Sequence, residues 1–201
     1  MAVTGALRLP GELALARFPA DAREQLRAWD AADEYLLRYL SDGSGGVPGF
    51  SPPVDLTGRV VVFGDRWGAL TTALAVAGVH VTQISDSFLS QQATLANVTG
   101  NGGSHRDLEL LSTVDDFSGP LDTLLIRVPK SLALLEGQLR RLVPVIGPLR
   151  ETGTRIIGTG MVTEVHTSTL QAFERILGST RTSLAVRKAR LIFCETDPTL
   201  P

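Results

Sequence analysis

Two glycines stand in a turn whose surroundings are suited to binding a nucleoside. Gly64 and Gly68 follow the apolar run 60–63, and an alanine- and leucine-rich segment with helical spacing comes next. A further β-rich segment, 80–86, ends in Asp86. A strand, a glycine turn, a helix and a second strand with a terminal acid together form the layout that binds an adenosyl group or NAD. In such sites the acid holds the ribose hydroxyls.

The turn itself departs from the usual nucleotide-binding sequence. Asp65, Arg66 and Trp67 separate its two glycines, and no G-x-G is present to let bare backbone approach a ligand. Two alternatives stay open: a turn kept for the fold alone, with the terminal acid of the second strand capping a helix, or a working cofactor site. The cofactor site would consist of Gly64, Asp65, Gly68 and Asp86.

The segment 128–131, Val-Pro-Lys-Ser, follows a predicted strand. Methyltransferases that act on base amines carry an Asn/Asp-Pro-Pro-aromatic tetrapeptide at this position, where oxygens orient the amine and the ring stacks on the base. Val128 supplies no side-chain acceptor, and Lys130 and Ser131 supply no ring. The sequence therefore argues against base-amine chemistry here.

Other catalytic patterns are missing from the sequence. His80, His105 and His166 have no metal-ligand spacing, and Cys194 is the lone cysteine. There is no Gly-x-Ser-x-Gly elbow and no P-loop. We expect no metal site and no catalytic residue in this chain.

Five cations crowd a short C-terminal window. In a chain with a formal net charge of −2, such a cluster is a local positive patch of the kind that contacts phosphate backbones. The alternative is a solvated face on a terminal strand pair. The candidate RNA-binding residues are Arg175, Arg181, Arg187, Lys188 and Arg190.

Apolar periodicity predicts the elements that would position these residues. From Asp21 the spacing predicts an amphipathic helix that runs through Leu40, followed by a Gly/Ser/Pro linker. Beyond the first two strands, further strands are predicted over 108–111, 122–128 and 154–158, and two β segments joined by a bend over 182–194.

Helices are predicted after Ser87, after Ser131 with its end at Pro144 and the Gly147-Pro148 pair, and from Thr167 or Ser168 to Gly178. The order of elements predicts an α/β fold with a doubly wound, mostly parallel sheet and a late antiparallel strand. We assign 1–49 to an N-terminal extension with a helix and linker, and 50–201 to the α/β domain.

Composition fits a globular protein of the cytoplasm. The 201 residues are 43% hydrophobic and 20% charged, which is enough for a sizeable core. A single cysteine fits a reducing compartment, and no apolar run reaches the ~20 residues that span a bilayer. We expect no membrane partner.

Five segments together resemble one family, the bacterial ribosomal RNA guanine-N2 methyltransferases, and in particular the N-terminal half of the large-subunit type. The helical segment and the block Val-Pro-Lys-Ser-Leu-Ala-Leu-Leu are fairly specific. The segments are 26–37, 63–70, 126–136, 166–170 and 188–192.

The resemblance implies a division of labour between two tandem domains with the Rossmann-like class I methyltransferase fold. In that family the C-terminal domain binds S-adenosylmethionine and carries an Asn-Pro-Pro-Phe motif. The N-terminal domain is a degenerate copy implicated in RNA binding and structural support. We therefore expect no cofactor in this chain, S-adenosylmethionine in a C-terminal catalytic domain that would begin near Asp197, and two partners: ribosomal RNA and that catalytic domain.

Three functions remain to be compared. The first is a non-catalytic, methyltransferase-like domain that supports ribosomal RNA binding. The second is a self-contained S-adenosylmethionine-dependent methyltransferase with an atypical cofactor loop. The third is a purely structural half that packs on the catalytic domain, which a large exposed apolar patch would favour.

Overall fold

The computed structural model describes residues 6–49, 54–117, 121–146, 154–197 and 199–200, and within them the chain forms seven strands and five α-helices. The strands are β1 (Val60–Phe63), β2 (Val81–Ile84), β3 (Leu108–Leu111), β4 (Thr123–Arg127), β5 (Arg155–Met161), β6 (Thr180–Thr182) and β7 (Ala189–Cys194). The helices are α1 (Ala31–Asp42), α2 (Ala69–Val76), α3 (Phe88–Gly100), α4 (Leu132–Ile146) and α5 (Thr167–Ile176).

The strands form one sheet in the order β3-β2-β1-β4-β5-β7-β6. The first five strands are parallel, and β7 pairs antiparallel with both β5 and β6. Every residue of β1, β2 and β4 is buried, as expected of parallel strands covered by helices on both faces. The predicted doubly wound sheet with a late antiparallel strand is confirmed.

Alternate residues of each strand face two separate halves of the core. Val60 and Val62 pack in a cluster with residues of α1, α2 and α3, whereas Val61 and Phe63 pack in a cluster with residues of α4 and α5. This follows from the two-residue period of a strand, which sends successive side chains to opposite faces. The sheet thus separates two helical layers.

The N-terminal helix is shorter than predicted. It begins at Ala31 instead of near Asp21, because Asp30 takes extended dihedral angles and caps it: Asp30 Oδ1 accepts from the backbone N–H of Ala32 at 2.8 Å. Leu26, which the periodicity placed on the buried face, is 63% exposed. The helical spacing upstream of Asp30 therefore does not correspond to a helix.

Helix α1 packs in the same core as the sheet. Its Tyr39 ring meets Phe193 of β7 edge to face, with centroids 5.1 Å apart, and the Thr159 hydroxyl of β5 donates to Ala32 O at 2.8 Å. Tyr35 and Tyr39 are both buried. The division of the chain near residue 49 stays a prediction.

Two other helix ends also differ from the predictions. Pro144 lies inside α4 and does not end it, because the buried side chains of Leu142 and Ile146 hold the last turn against the sheet. The other predicted stop of this helix, Gly147-Pro148, lies outside the described residues. Neither Thr167 nor Ser168 caps α5, since both lie within the helix and His166 occupies the cap position. Packing and local backbone geometry outweigh the sequence signals at these ends.

Gly68 provides a test of how closely the turn before α2 is packed. Its φ is +77°, and a Cβ there would lie 2.7 Å from the Thr94 Cα, which is backbone and cannot rotate away. We expect Gly68→Ala to lower the free energy of unfolding by about 2–4 kcal/mol, from left-handed backbone strain and overpacking. Urea denaturation monitored by circular dichroism measures the change.

Gly137 gives the matched control for this substitution. It lies in α4, and a Cβ there would meet nothing within 4 Å. Gly137→Ala should be neutral or stabilise by up to about 1 kcal/mol, because alanine favours the helix. Equal effects of the two substitutions would show that the turn is not closely packed.

Candidate functional site

The turn between β1 and α2 is closed against the end of β4. Gly64 and Gly68 both have φ of +77°. A Cβ on Gly64 would lie 2.9 Å from the carbonyl oxygen of Arg127, so the two chain segments touch through backbone. Both glycines are thus required by the fold itself, whether or not a ligand binds.

Asp65 occupies the N-terminal end of α2. Its Oδ2 accepts hydrogen bonds from the backbone N–H of Thr71 at 2.9 Å and from the Thr71 hydroxyl at 2.8 Å, and the N–H groups of Gly68 and Ala69 also donate to its carboxylate. Burial raises the pKa of Asp65, and these hydrogen bonds oppose the rise. N–H groups at a helix start are the donors that a ligand anion would use. Here they are bonded to a side chain of the turn.

Asp86 lies past the carboxyl end of β2, where sequence analysis placed it. Its Oδ1 accepts from the Thr113 backbone N–H at 2.7 Å, and both its oxygens accept from the Thr113 hydroxyl. Ser87 caps α3 by accepting from the N–H of Ser90 at 3.2 Å. The exposed Asp86 carboxylate therefore ties the ends of β2 and β3 together.

Arg127 at the end of β4 is the centre of a buried charge network that sequence analysis did not predict. Its side chain has no exposed surface, and its Nη2 lies 2.6 Å from Asp30 Oδ2. Nη1 donates to Glu164 Oε2 at 2.8 Å, and Nε lies 3.3 Å from Asp33 Oδ1. Arg66 completes the network by pairing with Asp30 and Glu164. We call these five residues the ionic cluster.

The ionic cluster holds two guanidinium groups and three carboxylates, which gives a formal charge of −1 when all are ionised. Burial, opposed by Arg127, raises the pKa of Asp33 to about 7. Burial also disfavours charge on Glu164, but the hydrogen bond and the positive charge of Arg127, with hydrogen bonds from the Met161 N–H and from Arg66, together outweigh it and lower the pKa of Glu164 to about 2. A protonated Asp33 would leave the cluster neutral.

A cavity of about 540 Å³ opens at the carboxyl ends of β1, β2 and β4. Its apolar lining includes Ile84, Leu89 and Leu134, and its polar lining includes Ser85 and Gln138. Gly64, Asp65, Asp86 and the segment 127–130 also line it. This is the edge where ligands bind in open α/β sheets.

The five candidate RNA-binding cations do not form one patch. Alternation along β7 puts Arg190 on the sheet face that carries α4 and α5, and Arg175 of α5 pairs with Glu136 of α4 on that side. On the other side Arg187 pairs with Glu34 of α1.

The remaining two cations lie at the late β hairpin. Arg181 donates to the Pro48 carbonyl oxygen at 2.8 Å, and Lys188 stands beside Arg187 in the turn before β7, where both have positive φ. The structure thus divides the predicted patch between the two sides of the sheet. The RNA-binding role of each residue stays a prediction.

No group of histidine, cysteine and acidic side chains suited to hold a metal ion occurs among the described residues. Cys194 is buried, and burial raises the pKa of its thiol to about 12, so it carries no reactive thiolate at neutral pH. In the same described ranges, no helix combines the length and the apolar character needed to cross a membrane.

Comparison with known proteins identifies the family. The model of the RLMG N-terminal domain matches residues 6–198, nearly the whole chain. The chain belongs to the RLMG N-terminal domain family. It is 57% identical over 191 residues to the ribosomal RNA large subunit methyltransferase G of Streptomyces griseus, which covers 95% of this chain and 47% of that protein.

A more distant relative gives the same picture. The chain is 46% identical to the ribosomal RNA large subunit methyltransferase G of Erwinia tasmaniensis over 94% of its own length and 46% of the relative's. The chain thus spans about half the length of these curated relatives. The resemblance inferred from the sequence is confirmed.

Solved structures agree on the fold. The T. thermophilus 16S rRNA N2 G1207 methyltransferase, solved with AdoMet and guanosine, matches with a TM-score of 0.58 at 21% identity, over 88% of this chain and 45% of that one. The mitomycin 7-O-methyltransferase MmcR matches with a TM-score of 0.53 at 15% identity, over 71% and 50%. The predicted Rossmann-like methyltransferase fold is confirmed.

Asp33 gives the ionic cluster a measurable pH dependence. A carboxyl whose pKa rises from 3.8 to about 7 on folding favours the folded state at low pH. That contribution is lost as pH rises from about 4 to about 7. The parent should lose this contribution between pH 5 and pH 8, whereas Asp33→Asn should not. We therefore expect the free energy of unfolding of Asp33→Asn, relative to that of the parent, to rise by about 2–4 kcal/mol over this range, measured by urea denaturation at each pH.

Asp42, in the same helix, is the matched control. Its carboxylate is exposed and its hydrogen bonds to Ser44 lower its pKa, so it stays ionised over that whole range. The stability difference between Asp42→Asn and the parent should not change with pH. A flat profile for Asp33→Asn as well would mean that Asp33 is ionised in the folded protein.

Proposed function

We propose that this chain is the non-catalytic, methyltransferase-like N-terminal domain of a cytoplasmic ribosomal RNA guanine-N2 methyltransferase. In this proposal the domain supports binding of the ribosomal RNA substrate. Catalysis and S-adenosylmethionine belong to a C-terminal catalytic domain, which is its second partner. Membership of the RLMG N-terminal domain family supports the assignment to an RNA-modifying protein.

One observation carries the non-catalytic half of the proposal: the α2 N–H groups donate to Asp65. S-adenosylmethionine has a charged amino acid portion that needs polar partners at such a turn. Here a buried carboxylate already takes the donors and would repel a ligand carboxylate. The turn residues therefore fit the cofactor poorly.

The end of β4 supports the same conclusion. A base amine needs a side-chain oxygen and an aromatic ring after this strand. Val128 is buried and apolar, and the preceding Arg127 is bonded to the acids of the ionic cluster. The segment 127–131 contains no aromatic side chain that could stack on a base. No side chain there can therefore both accept a hydrogen bond from a base and stack on it.

The cavity at the sheet edge favours a second candidate, the self-contained methyltransferase. Its volume of about 540 Å³ lies in the usual range for small-molecule sites, and Gly64, Asp65 and Asp86 are among its lining residues. In this candidate Asp86 would hold the ribose of S-adenosylmethionine, as the acid after the second strand does in the general layout.

RNA binding by this domain should be electrostatic and therefore salt-dependent. We expect the 201-residue chain to bind ribosomal RNA fragments weakly. The affinity should fall steeply between 50 and 200 mM salt, because binding through phosphate contacts releases counterions. Arg181→Ala combined with Lys188→Ala should reduce the slope of log K against log salt by about 1–2, measured by fluorescence anisotropy.

Arg23→Ala serves as the control, because it removes one exposed charge outside the candidate set. We expect that substitution to leave the slope nearly unchanged. Undetectable binding at 50 mM salt, or a slope that the double substitution does not alter, would contradict RNA binding through these residues.

A further inference from the structure

The cavity at the carboxyl ends of β1, β2 and β4 combines an apolar lining with a few polar groups. Ile84, Leu89 and Leu134 supply the apolar surface, and Ser85 and Gln138 supply polar atoms. Its volume of about 540 Å³ exceeds what one aromatic base needs and lies in the range of ligand sites, about 300–1,000 Å³. A flat aromatic ligand with polar edges suits this combination.

Gln138, one of the residues that line the cavity, carries an unused acceptor. Its Oε1 is buried and has no hydrogen-bond partner among the residues that the structure describes. A buried acceptor without a donor is costly, so a ligand that donates at this point gains affinity. The exocyclic amines of cytosine, adenine and guanine are such donors. Uracil carries a carbonyl oxygen where cytosine carries its amine, so it can donate only through its ring N3–H.

The cavity is lined by exposed side chains of both signs. This suits a nucleotide, which has both a phosphate and sugar hydroxyls, better than a simple anion. Lys130 lines the cavity, is exposed, and makes no ion pair within the described part of the chain. Arg66 and Arg127 also line it but are bonded to the acids of the ionic cluster. Asp86 on the other side can accept from sugar hydroxyls and would repel phosphate, which leaves Lys130 as the phosphate contact.

Exposed apolar side chains lie around the same end of the sheet. Phe88 is 67% exposed and stands between Ser87 and Leu89, both of which line the cavity. Leu134 is 50% exposed and lines the cavity as well. An exposed phenylalanine beside a base-sized cavity is a stacking platform for single-stranded nucleic acid.

We infer that this cavity binds one unstacked, amine-bearing nucleotide of the RNA. In this inference the base enters beside Gln138, the sugar lies near Asp86, Lys130 contacts the phosphate, and Phe88 stacks on a base outside the cavity. The inference rests on the proposed RNA-binding function and adds a site away from the five C-terminal cations. A free nucleotide has the same chemistry, but it would not use the exposed Phe88 next to an occupied cavity.

Cytidine and uridine test the inference, because the two bases differ at the position of the exocyclic amine. We expect the 201-residue chain to bind a labelled ten-nucleotide oligo-cytidylate about tenfold more tightly than oligo-uridylate in anisotropy at 50 mM salt, since one buried acceptor is satisfied. Gln138→Leu should reduce that preference to about twofold or less.

Two further variants have matched controls. Phe88→Ala should weaken the binding of both oligonucleotides about fivefold or more. Leu184→Ala removes a side chain that is 88% exposed in the β6–β7 hairpin, and it should not weaken binding. Lys130→Ala should lower the salt slope by about 0.7, whereas Arg106→Ala, before β3 at the opposite end of the strands, should change it less. Amide chemical shifts of 85–90 should move on binding.

The outcomes separate this inference from the proposed function. RNA binding with no cytidine preference, or a preference that survives Gln138→Leu, overturns the cavity inference and leaves RNA binding intact. Cytidine monophosphate that binds as tightly as the oligonucleotide shows a free-nucleotide site and also overturns it. Loss of all RNA binding at 50 mM salt overturns both. Variants that weaken only association with the catalytic domain would show a protein-docking surface instead.

Discussion

A single buried guanidinium, that of Arg127, determines how the carboxyl edge of this sheet is built. A fully desolvated cation is tolerated only with paired and hydrogen-bonded anions, and removing one member of such a network commonly costs about 3–5 kcal/mol. Asp30, Asp33 and Glu164 supply the anions from the start of α1 and from the turn after β5. Arg66 binds the same acids from the turn after β1, so three segments far apart in sequence are fixed to the end of β4.

This network has a direct bearing on function. The loops at this edge are where proteins of the same fold hold a ligand, and here their polar groups are largely satisfied by one another. Asp65 takes the amide donors of α2, and Asp86 accepts from Thr113. Arg127 donates to Asp30 and Glu164 and forms an ion pair with Asp33. What remains for a ligand is the apolar side of the cavity, the lining residue Gln138 with its unpaired Oε1, and the exposed side chains of Asp86 and Lys130. The cavity at the sheet edge is therefore large enough for a base, although the hydrogen-bond donors of the surrounding loops are already bonded to other residues of the protein.

Much of the fold was predictable from local pattern, because buried parallel strands are rich in apolar residues and turns carry glycine. β1 and the middle of β4 followed this rule, whereas β2 also buries the polar side chains of Thr82 and Gln83. The ionic cluster was not, since Asp30 and Arg127 are separated by 97 positions and no local period joins them. The available signal was an arginine at the end of an otherwise apolar strand, which requires buried partners. The C-terminal cations were grouped because they are close in sequence, but alternation along β7 and the hairpin turn distribute their side chains over both faces of the sheet. Their role in RNA binding stays a prediction.

Calorimetric titration of S-adenosylmethionine and S-adenosylhomocysteine into the 201-residue chain tests whether the N–H donors at the start of α2, which are bonded to Asp65, are unavailable to this cofactor. We expect no saturable heat for either compound up to about 1 mM. At that concentration a site with a binding free energy of only about −4 kcal/mol would already be half filled. Saturable binding of either compound with a sub-millimolar Kd would contradict it.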